Sequence, residues 1–375
     1  MIAIGIPTYN EAKNISKLTQ LIDCVAVKIG LEIVIINADN NSPDNTATIF
    51  TSVKTLNKKI SVVTKEVGKG FNIKAIIDIV NNLDNCEGCI LIDGDITSFS
   101  ESWLKKFTEL LIDKVDFVVP NYSRSFQEGN TTNHFVYPLI NYHTNGNCPR
   151  QPIAGDFGLS KNFIKFLVNS VHWHKYCYGY GIDIFLTLHA VYNNFRIEEI
   201  NLDRKEHNPS FGKMVDMFVE VASSYYETSK IIFESKKKNG IFNTAVIKSS
   251  NPSVLFSPKI FLSQEEILKK KEEANKILAS KETILNMRKD IEINPSVWVE
   301  ILLAHEKRIG QVDSQLLAKS ILPYYLLRVV DYLQNISNVK DAELNIEKEI
   351  DLLQLQKNEA VKSDVEFDVD FINSI

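Results

Sequence analysis

CILIDGDITS, residues Cys89 to Ser98, decides how this chain is read. The apolar run Cys89-Ile90-Leu91-Ile92 suits a strand covered on both faces, and it stops on two carboxylates, Asp93 and Asp95, with Gly94 between them. On an extended backbone, residues i and i+2 point the same way. Two like charges on one face repel unless a divalent cation, a basic side chain or open water separates them.

Reading outward, the same alternation recurs. MIAIGIP (1–7) is a short apolar strand closed by Pro7, and NEAKNISKLTQLIDCVA repeats apolar residues at Ile15, Leu18, Leu21, Ile22 and Val25, a helical stripe. LEIVIINA (31–38) is a second strand, ended by the turn formers DNNSPDNT (39–46). NTATIFTSVKTL predicts a helix, ISVVTKE a third strand, KGFNIKAIIDIVNNL a helix, SWLKKFTELLI another, and VDFVVP a fifth strand. Apolar strands alternating with helices predict a parallel sheet covered on both faces. In such sheets ligands sit beyond the carboxyl ends of the strands. Those ends carry Pro7 to Glu11, Asp39 to Asp44, Glu66 to Gly70 and Asp93 to Asp95, so the polar punctuation falls on one rim.

Composition narrows the classes. The chain has 375 residues, more than one ordinary domain, and its 44% apolar content supplies a core. A net charge of −5 gives no reason to expect nucleic acid. Five cysteines in this length are no disulfide framework. Cys86-Glu-Gly-Cys89 has redox or half-zinc spacing, but no second pair follows and Cys89 opens a strand, which favours a structural role. With a strand from Ile2, no signal peptide is expected. The oily window 178–191 contains Gly179, Gly181 and Asp183 and is too short to span a bilayer. A cytoplasmic protein without a membrane partner is expected.

Gly68-Lys69-Gly70 lets backbone approach an anion and supplies a cation before a helix; by itself it reads equally as a flexible turn. It fits neither G-x-G-x-x-G nor the P-loop, which weakens a dinucleotide oxidoreductase or a P-loop NTPase. A diphosphate and a carboxylate pair coexist when a divalent cation bridges them. The rim therefore suggests a metal held by the aspartates and a diphosphate held by the metal.

At this point the residues resemble a family. IPTYNEAKNI, DNNSPDNT, VGKGFNIKAI and LIDGDITS, in this order, are similar to nucleotide-sugar-dependent glycosyltransferases of the A-type fold. PRQPIAGDFGLS (149–160), YGYGIDIFLTLHAV (178–191) and RKEHNPS (204–210) resemble the retaining glucosyl-3-phosphoglycerate, mannosylglycerate and glucosylglycerate synthases. The resemblance covers about residues 1 to 215. It implies an α/β, Rossmann-like A-type fold, a mostly parallel sheet flanked by helices, with a helical C-terminal extension. It also implies a UDP- or GDP-hexose donor, Mn²⁺ or Mg²⁺, and a small hydroxy-acid acceptor such as glycerate.

Carried over, the resemblance places Pro7, Tyr9 and Glu11 at the nucleoside, Asp39 at the base edge with Asn40 and Asn41 nearby, and Lys69 at the diphosphate or sugar. Asp93, followed by Gly94, would touch the ribose, and Asp95 would bind the metal with His207 as second ligand. Ala154, Gly155 and Asp156 would line the donor sugar, and Asp183 would face sugar and acceptor hydroxyl. Asp95, Asp183 and Lys69 are the catalytic candidates. Gly129, Thr131 and Thr132 in EGNTTNHFVYPL, with Arg124 nearby, would hold the acceptor acid. Here the chain departs from the phosphoglycerate-using enzymes, in which an arginine follows the glycine; this chain has Asn130. Other readings stand beside these: Asp183 also suits a helix N-terminus, Arg124 a surface cation, and His207 a charged loop. His172 and His174 lack metal spacing and are expected to pack.

After about Lys213 the pattern turns helical, which suggests domains 1–215 and 216–375, the second serving packing, the acceptor side or dimer formation. MVDMFVEVASSYYETSKIIFESKK carries an apolar stripe, and Ser263-Gln-Glu-Glu266 is a capping-box signature opening a helix to about Ile291. Pro295 starts SVWVEILLAHEKR, Pro323 marks a kink or start, and VKSDVEFDVDFINSI reads as an edge strand or tail. Three rivals stand beside this reading: a glycosyltransferase acting on a polysaccharide or glycoconjugate; a nucleotidyltransferase, which would want a Gly-rich first turn that PTYNEAKN lacks; and a nucleotide-sugar-binding scaffold with a decayed active site, against which Asp93, Asp95, Lys69 and His207 together speak.

Overall fold

The computed structural model describes residues 1–206, 211–239, 247–248, 255–258, 261–281 and 292–362. Its contacts divide the chain into two units: residues 1–123 with 149–253, and residues 124–148 with 254–375.

Along the chain the elements are β1 (Ile2–Thr8), α1 (Ile15–Lys28), β2 (Ile33–Asp39), α2 (Thr46–Ser52), β3 (Lys58–Val63), α3 (Lys69–Asn81), β4 (Gly88–Leu91), α4 (Glu101–Ile112) and β5 (Phe117–Tyr122). Next come β6 (Arg124–Ser125), α5 (Tyr137–Thr144), β7 (Phe157–Ser160), α6 (Lys161–Asn169), α7 (Ile182–Tyr192), β8 (Ile197–Leu202), α8 (Met214–Asn239) and β9 (Ile247–Lys248). The rest is β10 (Leu255–Phe256), α9 (Gln264–Lys281), α10 (Pro295–Glu306), α11 (Ser314–Asn335) and α12 (Val339–Lys362).

The first unit holds a sheet in the order β3-β2-β1-β4-β7-β5-β8-β9. Every pairing is parallel except those of β7, which runs antiparallel between β4 and β5. The mostly parallel, helix-flanked sheet expected from the apolar runs is present. β1, β2 and β4 are buried along their lengths, as continuous apolar strands must be. β7 and β8 escaped the pattern reading for a plain reason. Phe157-Gly-Leu-Ser160 is short and carries a glycine, and β8 contains Glu198 and Glu199.

Among its described residues, the regular structure of the second unit is helical apart from the two-residue pairing of β6 with β10 and an isolated bridge between Ile309 and Val312. Its capping box forms as expected: Ser263 N–H donates to Glu266 Oε2 at 2.8 Å and Glu266 N–H to Ser263 Oγ at 3.2 Å. α9 is described to Lys281, and the continuation to Ile291 lies outside the described residues, as does the tail beyond Lys362. Asn294 caps α10 ahead of Pro295. Pro323 does not start a helix; it sits inside α11, whose start is set by the Asp313 cap. α12 was not expected from the pattern. Among the described residues no helix is long and apolar enough to cross a membrane.

Candidate functional site

The two carboxylates of the opening stretch do not share one environment. β4 ends at Leu91, and Gly94-Asp95 form a turn, so the extended spacing that would align them does not hold. Asn14 fixes this turn, its Nδ2 donating to the carbonyls of Gly94 (2.7 Å) and Ile96 (3.0 Å).

Asp93 is answered by basic side chains. Its Oδ1 lies 2.8 Å from Lys69 Nζ and its Oδ2 2.9 Å from Lys205 Nζ. Lys69, the first residue of α3, also reaches Asp183 Oδ1 at 3.1 Å and donates to Gly155 O at 3.3 Å. Lys205 pairs with Asp156 Oδ2 at 2.7 Å and donates to Ala154 O at 2.8 Å. Asp156 is fully buried; it also accepts from Tyr122 O–H at 2.6 Å and from Asp93 N–H at 2.7 Å. Three carboxylates and two ammoniums thus share one cluster at the carboxyl ends of β4 and β5. Gly155 makes it possible: at φ +95°, a Cβ there would sit 2.4 Å from Asp93 Oδ2 and 2.7 Å from Lys205 Nζ.

The charges stabilise one another. Burial disfavours the Asp93 charge, but Lys205 and Lys69 outweigh it and hold the carboxyl well below its usual range. Burial likewise works against Lys69, and Asp183 and Asp93 outweigh it and raise its pKa. Lys205 is raised against burial by Asp156 and Asp93. Asp183 goes the other way: burial raises its pKa and Lys69 offsets this only in part.

Asp95 belongs to a different corner. Glu11 is pushed up to about 7 by burial and then by Asp95 and Asp44, with Lys213 acting in the opposite sense. Its stem packs against Gly94, where a Cβ would lie 3.3 Å from Glu11 Cγ and 2.7 Å from Thr8 Cγ2. Crowded hard oxygens in a half-buried place are the donor chemistry that suits Mg²⁺ or Mn²⁺. Among the described residues no group of three or more His, Cys, Asp or Glu is arranged to hold a metal. His207, expected as a ligand, lies outside the described residues.

The other expected residues fall as follows. Pro7 does not close β1, as the sequence suggested, but lies inside it, paired with Ala38; the strand runs on to Thr8, and Tyr9 beyond it is 45% exposed. Asp39 is buried and accepts from Thr8 Oγ1 (2.9 Å), Ser42 Oγ (2.7 Å) and Ser42 N–H (2.7 Å), which folds the 39–42 turn over the ends of β1 and β2. Asn40 joins Thr64, Glu66 O and Asn72, and Asn41 takes a left-handed conformation at φ 53°. The glycines of the Gly68-Lys69-Gly70 turn have a structural reason of their own, the close approach of the backbone of residues 177–178: Cβ atoms at 68 and 70 would meet Tyr178 O at 2.4 Å and Cys177 O at 2.0 Å. Phe71 N–H bonds Tyr178 O, and the two rings stack at 4.4 Å. His174 and His189 are buried, and desolvation holds their pKa values down to about 4 and about 3, so they pack as neutral side chains.

The expected acceptor residues Arg124, Gly129, Thr131 and Thr132 lie in the second unit. A Cβ on Gly129 (φ +70°) would stand 3.7 Å from Arg124 Cδ and Nη1. Asn130 Nδ2 donates to Gln127 O, Thr131 Oγ1 meets Tyr325 O–H at 2.9 Å, and Thr132 opens a π-helical turn, Thr132–Val136.

Sequence reasoning missed Lys205 and Tyr122. Lys205 lies 112 residues from Asp93 in a charged run that reads as a solvated loop. Thr97 N–H to Glu206 O (3.1 Å) and Glu206 N–H to Ser98 Oγ (3.0 Å) dock that run beside the β4 turn.

Residues 3–167 match the family model described as Glycosyl transferase family 2. No curated protein matches the chain. Among solved structures it is similar to glucosyl-3-phosphoglycerate synthase from Mycobacterium tuberculosis. The complex with Mn²⁺, UDP and phosphoglyceric acid aligns at TM-score 0.47 and 17% identity, over 61% of this chain and 78% of that one. The complex with Mn²⁺, UDP-glucose and phosphoglyceric acid aligns at TM-score 0.48 and 18% identity, over 61% and 79%. The complex with Mg²⁺ and UDP gives 0.48 and 17% over the same shares.

Proposed function

We propose that this chain, a glycosyltransferase by the family-2 domain in residues 3–167, moves a hexose from a nucleotide-diphosphate sugar to a small hydroxy acid such as glycerate. One observation carries the reading. A protonated Lys69 stands in the same rim as the Asp95–Glu11 carboxylate corner, which also feels Asp93, so the rim offers a diphosphate both an ammonium and an acidic seat for a divalent cation.

A cation there would be held by Asp95 with Glu11 beside it, and His207 is the further ligand proposed. When bound it supplies Lewis-acid stabilisation of the leaving diphosphate. The chain's own residues do the rest. Lys69 meets the charge that develops on the phosphate oxygen as the anomeric C–O bond breaks. Asp183, tied to Lys69 and largely buried, orients the acceptor hydroxyl in this reading. The new bond forms between that oxygen and the anomeric carbon. Its proton passes to the departing phosphate oxygen on the same face, a course that retains configuration. Asp93 and Asp156 hold the two lysines and the 154–156 turn. Residues 129–132 with Arg124 are the proposed acceptor-acid contacts, with the helical region supporting them.

Turnover of UDP- and GDP-hexoses with glycerate, with and without Mn²⁺, tests the reading. Metal-dependent glycosyl-glycerate with retained anomeric configuration is expected. Transfer only to a polysaccharide or glycoconjugate would overturn the acceptor class, and metal-independent turnover would overturn the role of Asp95.

A further inference from the structure

Lys205 is a buried cation inside the transfer site, and the reaction scheme above gives it no chemical step. Its side chain is 6% exposed. An ammonium has three hydrogens, and three oxygens take them at short range: Asp156 Oδ2, Ala154 O and Asp93 Oδ2, at 2.7, 2.8 and 2.9 Å. The ring of Tyr122 lies beneath it, 5.4 Å from Nζ to the centroid. Lys69 is held less tightly. One contact is short, 2.8 Å to Asp93 Oδ1, while those to Asp183 and Gly155 O run from 3.1 to 3.3 Å.

We infer that Lys205 is the positioning residue of the transfer site: by occupying Asp93 Oδ2 and tying both ends of the 154–156 turn, it leaves Lys69 able to turn a hydrogen towards the donor's diphosphate. This rests on the proposed function. The physical reason is a competition for one carboxylate. With Lys205 in place, Asp93 offers Lys69 a single oxygen. Without it, both Asp93 oxygens draw on Lys69, and Asp156 is buried with no cation. The turn is equally dependent. Lys205 Nζ bonds Ala154 O and Asp156 Oδ2 on either side of Gly155, so an ammonium that leaves its seat releases both ends of the turn.

The charge of Lys205 also acts on Asp183. Burial raises the Asp183 pKa, Lys69 lowers it, Asp93 raises it, and Lys205 lowers it. Removing the Lys205 charge therefore raises it further, an effect that lost packing does not produce.

Lys205→Met and Lys205→Arg, purified at full length, test the inference by steady-state kinetics across pH and by ¹³C NMR titration of the Asp183 carboxyl. In Lys205→Met, kcat should fall about 100-fold with donor KM changed far less, because the reacting groups are displaced rather than unbound. The acid limb of the pH–rate profile and the Asp183 titration should both move to higher pH. Lys205→Arg should keep the limb in place and lose about tenfold in kcat, because the planar fork retains the charge but not the ammonium geometry. A folded Lys205→Met with wild-type kcat and limb overturns the inference. If Lys205→Met does not fold, Lys205→Arg decides: wild-type kcat overturns it, and a kcat loss at unchanged donor KM supports it. A wild-type protein that transfers no sugar, while Asp183 still titrates higher in Lys205→Met, defeats the function reading and keeps the Lys205 coupling.

Discussion

Each unit of the molecule buries a network of charges, and the two networks are built differently. In the second unit Arg328 and Glu349 are wholly buried. Arg328 Nε donates to Glu349 Oε1 at 2.7 Å, Nη1 reaches Asp331 at 2.8 Å, and Nη2 bonds Asn345. His134 Nδ1 meets the same Glu349 oxygen at 2.8 Å. This network pins α11, α12 and the π-helical turn together. In the first unit, Lys69, Asp93 and Asp183 keep 15, 20 and 12% of their side chains exposed, and carboxylates outnumber ammoniums. The second network is the more deeply buried at its centre, where Arg328 and Glu349 are fully covered although Glu349 Oε2 has no hydrogen-bond partner among the described residues, and it serves architecture. An open network with a carboxylate in excess and a loosely held lysine has interactions left for a ligand.

The sharpest way to break this comparison is to remove one ion from each side. Asp95→Ala should abolish transfer and metal-dependent nucleotide binding while costing much less stability than a buried ion, because what is lost is an anionic ligand at a partly exposed turn. Retained donor affinity and turnover would sink the metal role. Arg328→Met should do the reverse, costing about 3–5 kcal/mol of stability by leaving Glu349 buried beside an uncharged side chain. Chemical denaturation measures it, and a loss under about 1 kcal/mol would mean the second network is not structural.

Lys69→Met should lower kcat about 10²–10³-fold, the scale of a lost oxyanion donor, with a smaller change in donor KM. Equal loss in KM would instead make Lys69 a ground-state contact.

The Asp95–Glu11 corner predicts a pH dependence. Glu11 binds its proton more tightly folded than unfolded, so its contribution to stability is complete below its ordinary carboxyl pKa and is lost as pH rises through about 7. A divalent cation must displace that proton. Apparent Mn²⁺ affinity should rise about tenfold per pH unit below 7 and level off above it, and Glu11→Gln should flatten the slope. Calorimetric titration at several pH values reads this directly.

The smallest effect concerns the acceptor. Arg124 beside Gly129 offers one cation, and Asn130 has its amide on Gln127 O and brings no charge. A dianionic phosphate therefore finds no charge-assisted partner at position 130, and glycerate should be preferred over 3-phosphoglycerate by about tenfold to hundredfold. Side-by-side turnover settles it, and a preference for 3-phosphoglycerate would mean that another residue holds the phosphate.

What the sequence determined by itself is what depends on neighbours a few residues away. Apolar runs and helical stripes placed β1, β2, β4, α1, α3 and α4, and Ser263 with Glu266 announced their cap, because strand burial, helix periodicity and capping are short-range physics. The rim bearing Lys69, Asp93 and Asp95 followed from strand ends, and Asp183 came from the resemblance alone. Other features were decided only by the tertiary structure. β7 runs antiparallel because β4 and β5 flank it, which nothing in Phe157-Gly-Leu-Ser160 states. The glycines around Lys69 serve the backbone at 177–178, a contact across more than a hundred residues. Asp93 and Asp95 are held differently because a turn separates them and because Lys205, distant in the chain, pairs with Asp93. Charge pairing depends on distance in space and on shared burial, and a linear pattern encodes neither.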